Sequence, residues 1–250
     1  MLYYYILNNR STYSYEDEEG NGQLLGKRKI VIILLISGMV ILSACNRAST
    51  SEQMYDHLEK AVSLEKAFEK QQDDIVKLEK KEQELYGKII DLSMDEFDKI
   101  KSISEEAIGV IEKRSKNIQL EKESIDVSKE EFKKIKDLIG DLEEKKAKEK
   151  ANEMYDVMMK RYDTYYKLND AYNKSLKLEK ELYTMLQQKD LKQETLTEQI
   201  KEINDSYEKV LAANENFNTH TQSYNKLKKE FYDVAKVKVK YEDAAKKKKE

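Results

Sequence analysis

The chain of 250 residues contains no proline, no tryptophan, one cysteine, two histidines and seven glycines. A single cysteine excludes an intrachain disulfide and any metal cluster built on thiolates. His57 and His220 each fall in a helical pattern with no cysteine or second histidine at ligand spacing, so no metal site is expected at either. The glycine-rich phosphate loop, the GxSxG elbow and the HExxH pattern are all missing. An excess of one charge is missing too: 46 Lys and Arg stand against 49 Asp and Glu, a net charge of −3. That balance argues against nucleic acid as a partner. Strand-forming alternation is absent, and beyond Cys45 the only glycines are Gly87, Gly109 and Gly140. Sequence so rich in Lys, Glu, Leu and Ala, and so poor in breakers, is read as long helices.

What is present begins with the basic cluster Lys27-Arg28-Lys29, followed by an apolar run over residues 30–41 and then Leu42-Ser43-Ala44-Cys45. Basic flank, short hydrophobic core and small-residue exit form the secretory signal pattern. A helix over residues 30–44 would rise only about 23 Å, short of the roughly 30 Å of a bilayer core. Leu42, Ser43, Ala44 and Cys45 resemble the lipobox of bacterial lipoproteins, in which the cysteine takes a diacylglycerol and becomes the first mature residue. The resemblance implies residues 1–44 as signal peptide and residues 45–51 as a lipidated tether to the cell membrane. The covalent acyl lipid on Cys45 is the only non-protein group expected; no cofactor is. Residues 1–26, tyrosine-rich and then acidic, fit neither a folded domain nor an ordinary leader, and are read either as the product of a mis-assigned start or as an unusually long n-region of the signal peptide.

Residues 52–235 are read as one all-α domain, an elongated antiparallel bundle of about four long, coiled-coil-like helices. In the first, over residues 51–92, a heptad places Met54, Ala61, Phe68, Ile75, Glu82 and Ile89 at position a and His57, Leu64, Gln71, Leu78, Leu85 and Leu92 at position d. Ser93 and Glu96 then offer a capping box, with Leu92 stapled to Phe97. The second helix repeats Phe97, Ser104, Ile111, Ile118, Ile125, Phe132 and Ile139, with Ile100, Ala107 and Ile135 beside them. Arg114, Glu121 and Ser128 interrupt its second column, and are read as long or polar side chains snorkelling from a loosely packed stretch. Gly140, Asp141 and Glu144 predict a turn, as a C-cap glycine, an N-cap and its box partner. The third helix, residues 142–186, carries Tyr155, Tyr162, Tyr165, Tyr166, Tyr172 and Tyr183 on a stripe wide enough for two neighbours. Thr195 and Glu198 suggest the cap of the fourth, which repeats Leu196, Ile203, Val210, Phe217, Tyr224 and Phe231. All five phenylalanines sit on these repeats and are assigned to the core. Residues 236–250 form a basic tail.

From Cys45 to Ala235 the chain resembles the YkyA-like family of cell-wall-binding lipoproteins of Gram-positive bacteria. The likeness is carried by Glu59-Lys60-Ala61-Val62-Ser63-Leu64-Glu65-Lys66, Met94-Asp95-Glu96-Phe97-Asp98-Lys99-Ile100, Met158-Met159-Lys160-Arg161-Tyr162 and Lys226-Leu227-Lys228-Lys229-Glu230-Phe231-Tyr232. It implies a membrane-tethered helical protein on the extracytoplasmic face, with peptidoglycan or teichoic acid as partner and no catalytic residues. Residues 92–95 and 187–194 at the distal turns, or the tyrosine stripe, are the expected contact surfaces. A coiled-coil lipoprotein that binds another protein, or a cell-wall hydrolase, are the competing readings. A hydrolase needs a cleft with converging polar groups, and paired carboxylates along a charged helix are read here as a solvated face.

Overall fold

The computed structural model of the protein describes residues 49–237. The signal segment, the lipobox (Leu42, Ser43, Ala44, Cys45) and the lysines beyond residue 237 lie outside the described residues. Six helices follow in order: α1 (Thr50–Leu64), α2 (Lys66–Ile90), α3 (Phe97–Lys133), α4 (Ile135–Ile139), α5 (Lys145–Met185) and α6 (Gln193–Val234), with a 3-10 turn at Met94–Glu96. α1 with α2, and α3 with α4, are each one pass of the chain, so the protein is the all-α four-pass bundle expected. Packing is closest between α5 and α6 and continues through α2 on α3, α1 on α3 and α3 on α5. The first and last passes meet through large side chains: the rings of Tyr55 and Tyr232 lie 5.4 Å apart and those of Phe68 and Phe217 6.0 Å.

The apolar repeat accounts for most of the core, with one shift of register. Every predicted a position of the first pass is buried, Glu82 included. The second column is mixed: Leu85 is buried as predicted, while at two levels burial falls one residue later. Leu58 and Glu79 are buried where His57 and Leu78 are half-buried, and Glu65 and Gln72 are half-buried like Leu64 and Gln71. On the second pass both predicted columns hold, and four of the five phenylalanines are buried; Phe97 is half-buried, with the Lys189 ammonium 5.2 Å from its ring centroid. That contact brings the turn after α2 and the turn after α5 to one end of the bundle. Each buried Ile, Leu or Phe contributes about 1.5–3 kcal/mol.

The turns are built differently from expectation. Ser49, not a later residue, starts the first helix: its hydroxyl accepts from Glu52 N–H at 3.2 Å and its own N–H donates to the Glu52 carboxylate at 2.8 Å. Only Asn46, Arg47 and Ala48 therefore separate Cys45 from a helix cap. At Ser93 half of the predicted box forms: Lys99 and then the Ser93 N–H hold the Glu96 carboxyl below its usual range, but the Ser93 side chain makes no cap bond. Gly140 closes α4 in right-handed geometry, and Lys148 Nζ caps its carbonyl at 2.7 Å. Neither Asp141 nor Thr195 caps a helix; Glu144 and Lys192 precede α5 and α6 in extended conformation without side-chain bonds.

The first pass breaks at Glu65, and the cause is a side chain inserted from the second. An unbroken helix would bond the Phe68 N–H to the Leu64 carbonyl. Instead Ser124 Oγ donates to Leu64 O at 2.7 Å and accepts from Phe68 N at 3.2 Å, holding the turn open. Ser124→Ala strands both backbone groups in the core. A loss of about 1–3 kcal/mol is expected in denaturant unfolding; a variant as stable as the parent would show that the two helices simply rejoin.

Candidate functional site

Arg114, Glu121 and Ser128 are buried, which corrects the snorkelling reading. They face Glu79, Gln72 and Glu65 of the first pass in that order: Arg114 Nη2 lies 3.6 Å from Glu79, Gln72 donates to Glu121, and Ser128 Oγ donates to Glu65 at 2.9 Å. Each step is seven residues up one pass and seven down the other, so a single antiparallel register aligns all three pairs. The bundle interior thus carries a polar seam of three layers.

The layer at Glu65 spans all four passes. Arg161, from α5, grips the Glu65 carboxylate with both terminal nitrogens at 2.9 and 2.7 Å, and its Nε donates to Thr221 of α6 at 2.9 Å. The guanidinium also lies over the Phe217 ring, 4.7 Å from its centroid. Ser128 and Tyr162 share a hydroxyl contact of 2.9 Å that closes the layer from the second pass. A forked, planar cation suits such a site because it satisfies two carboxylate oxygens and a hydroxyl at once.

The layer at Arg114 is more heavily charged. Its Nη1 donates to both Glu82 and Glu179, the latter at 2.6 Å, while Nε and Nη2 reach the Tyr172 hydroxyl at 3.1 and 2.8 Å. Tyr172 passes a bond on to Glu79, and Tyr207 of α6 donates to Glu179. Arg114, Glu79, Glu82 and Glu179 are each no more than 3% exposed. Three carboxylates on one guanidinium would carry a net charge of −2 out of reach of water, which is costly enough that a carboxyl keeps its proton instead. Burial, and then the neighbouring Glu179, push Glu82 up to about 8 against the opposing pull of Arg114. Burial likewise raises Glu179.

Chemically this layer can hold a proton and tie four passes together. Its carboxyls do not line a cleft, so they form no acid and base pair for an incoming sugar. The tyrosine stripe is occupied in the same way: Tyr162, Tyr165, Tyr172 and Tyr183 are buried, and only Tyr155 and Tyr166 are half-buried. It packs the core rather than presenting a platform. His57 bonds Glu131 at 2.7 Å, a satisfied polar position. Among the described residues no group of His, Cys, Asp or Glu is arranged to hold a metal ion, and no helix is long and apolar enough to cross a membrane. At the distal turns Ile90 and Met94 are 64% and 61% exposed, an apolar pair on a charged surface.

Fold and interior together define a four-pass α-helical bundle stitched by buried ion pairs. Residues 49–234 match the family described as "YkyA: Putative cell-wall binding lipoprotein", and the chain belongs to that family. A relative from Bacillus subtilis (strain 168), named an uncharacterized lipoprotein YkyA, is 37% identical over 201 residues, covering 80% of this chain and 90% of its own. The crystal structure of a conserved protein of unknown function from Staphylococcus aureus superposes with a TM-score of 0.64 at 20% identity, over 74% of this chain and 97% of that one. The last likeness concerns the fold alone.

Proposed function

We propose that this protein is a membrane-anchored lipoprotein of the extracytoplasmic face, held by an acyl lipid on Cys45, whose bundle serves as a non-catalytic binding module at the cell wall. Membership of the family over residues 49–234 is the observation that carries this reading. The lipobox Leu42-Ser43-Ala44-Cys45, with only three residues between it and the Ser49 cap, supports the anchor. Two acyl chains suffice for stable anchoring, since each buried CH₂ contributes about 0.8 kcal/mol. The distal turns are the proposed contact surface, where Ile90 and Met94 stand exposed beside Asp91, Asp95 and Lys189.

Purified protein from Asn46 onward is expected to sediment with isolated sacculi, and Ile90→Asp with Met94→Asp to reduce the bound fraction without lowering thermal stability. Repeating the experiment on sacculi stripped of teichoic acid separates the two polymers as ligands. Absence of sedimentation with either preparation contradicts wall binding, and release of muropeptides contradicts a non-catalytic role. An unmodified Cys45 in the mass spectrum of the membrane-purified protein contradicts the anchor.

A further inference from the structure

The Arg114 layer divides the bundle unevenly. The main apolar core continues past it toward the turn after α2, through Leu85, Ile89, Ile100 and Ala107, but its buried members on α6 begin at Val210 and include Phe217, Tyr224 and Phe231. Before that, α6 buries Ile203, Ser206 and Tyr207, of which neither Ile203 nor Tyr207 joins that core, while Leu196 and Ile200 stay half-buried. Its ties there to α5 include a bond from Gln199 to the Leu178 carbonyl at 2.8 Å, the meeting of the Ser206 and Ser175 hydroxyls at 2.8 Å, and a bond from Tyr207 to Glu179. This stretch of α6 therefore adds little apolar area to the core and meets the charged layer through Tyr207.

The groups that face one another in that layer come from every pass. α2 supplies Glu79, Glu82 and, nearby, Tyr86; α3 supplies Arg114; α5 supplies Tyr172, Glu179 and Tyr183; α6 supplies Tyr207. The Arg114 guanidinium lies 5.2 Å from the Tyr172 ring centroid and bridges Glu82 to Glu179. Glu82 and Glu179 both accept from Arg114 Nη1, which sets the two carboxyls side by side, and a proton on either one removes a like charge. Remove it, and two like charges face each other with one cation to share and with water shut out. Relief comes by admitting water, and the cheapest place to open is where burial is thinnest.

We propose that the Arg114 layer is a proton-loaded latch: with one proton carried on the Glu82 and Glu179 pair it pins the first turns of α6 to α5, and loss of that proton frees residues 193–207 while the rest of the bundle stays packed. The proton leaves to solvent base, and no covalent bond changes. The inference stands apart from wall binding and holds whether or not the bundle meets a polymer. Burial of the layer raises the proton-holding range toward neutrality, so the latch opens in mildly alkaline conditions.

Hydrogen exchange on the full chain in detergent micelles tests it, with protection corrected for the base-catalysed intrinsic rate. Between about pH 6 and pH 9, protection of amides in 196–207 is expected to fall by at least about tenfold while 210–231 keep theirs. Glu82→Gln, which keeps a neutral donor in place at every pH, is expected to flatten that response. Tyr207→Phe removes the α6 side of the latch without touching a charged member, and is expected to lower protection of 196–207 already at the lower pH. A uniform loss along α6, no loss, a pH response retained in Glu82→Gln, or an unchanged Tyr207→Phe profile overturns the proposal.

Discussion

Arg114→Met is expected to destabilise the bundle by about 3–5 kcal/mol at neutral pH, the usual cost of removing one partner from a buried ion cluster. The methionine fills the space of the arginine stem, so packing is largely kept. What is lost is the cation that Glu79, Glu82 and Glu179 surround. Without it the carboxyls are held neutral only by taking up protons. The sign of the pH dependence follows: burial already raises Glu82 and Glu179 above their unfolded value, so the stability linked to them is fully present below that value and is lost as pH rises through the folded one. Removing Arg114 takes away a cause that lowers both groups, which moves the window higher and makes the loss larger. Urea midpoints measured from about pH 4 to pH 9 are therefore expected to converge with the parent in acid and diverge in base, with a slope approaching about 1.4 kcal/mol per pH unit for each proton taken up. A penalty that is the same at every pH would mean that Arg114 contributes packing rather than charge.

The columns that carry this result were visible in the sequence, but their meaning was not. Ile111, Ile118, Ile125 and Phe132 mark the second pass unmistakably, and Arg114, Glu121 and Ser128 sit on its second column at the spacing of core residues. Charged residues at such positions are ordinarily solvated, and nothing local reveals a partner that lies dozens of residues away. Leu64, Leu78 and Leu92 suggest a three-residue offset in the first pass, which holds at Leu85, whereas the polar contacts to the second pass come from Glu65, Gln72 and Glu79, one residue later at each level. One signal was available. Glu65, Gln72 and Glu79 repeat at seven residues, as do Arg114, Glu121 and Ser128, and two polar heptads of that kind on antiparallel neighbours can satisfy each other layer by layer. Arg161 and Glu179, on the helix assigned to the core for its tyrosines, gave no such periodic hint. The turns were hardest because backbone bonds close most of them and Lys148 caps one, and the Asp141 and Thr195 boxes suggested by residue type did not form.

Apolar columns alone leave a Lys- and Glu-rich helix free to slide by a heptad against its neighbour, since leucine and isoleucine repeat at the same spacing on every pass. The polar layers remove that freedom. A slide of seven residues would set Arg114 opposite Gln72 or Tyr86 instead of Glu79 and would leave Arg161 without Glu65. Their net contribution to stability is small or unfavourable compared with apolar residues of the same size, while their contribution to a unique register is large. Replacing Glu65, Gln72, Glu79, Glu82, Arg114, Glu121, Arg161 and Glu179 together by leucine or methionine, with Tyr162, Tyr172 and Tyr207 changed to phenylalanine, separates the two effects. Helix content and thermal midpoint are expected to match or exceed the parent's.

The decisive measurement is the amide proton–nitrogen correlation spectrum of that variant. If the polar layers set the register, the spectrum shows multiple or broadened resonances for residues of α2, α3 and α5 where the parent gives one sharp set. A single, well-dispersed set at parent line width would show that the apolar columns align the bundle unaided, and would contradict the account.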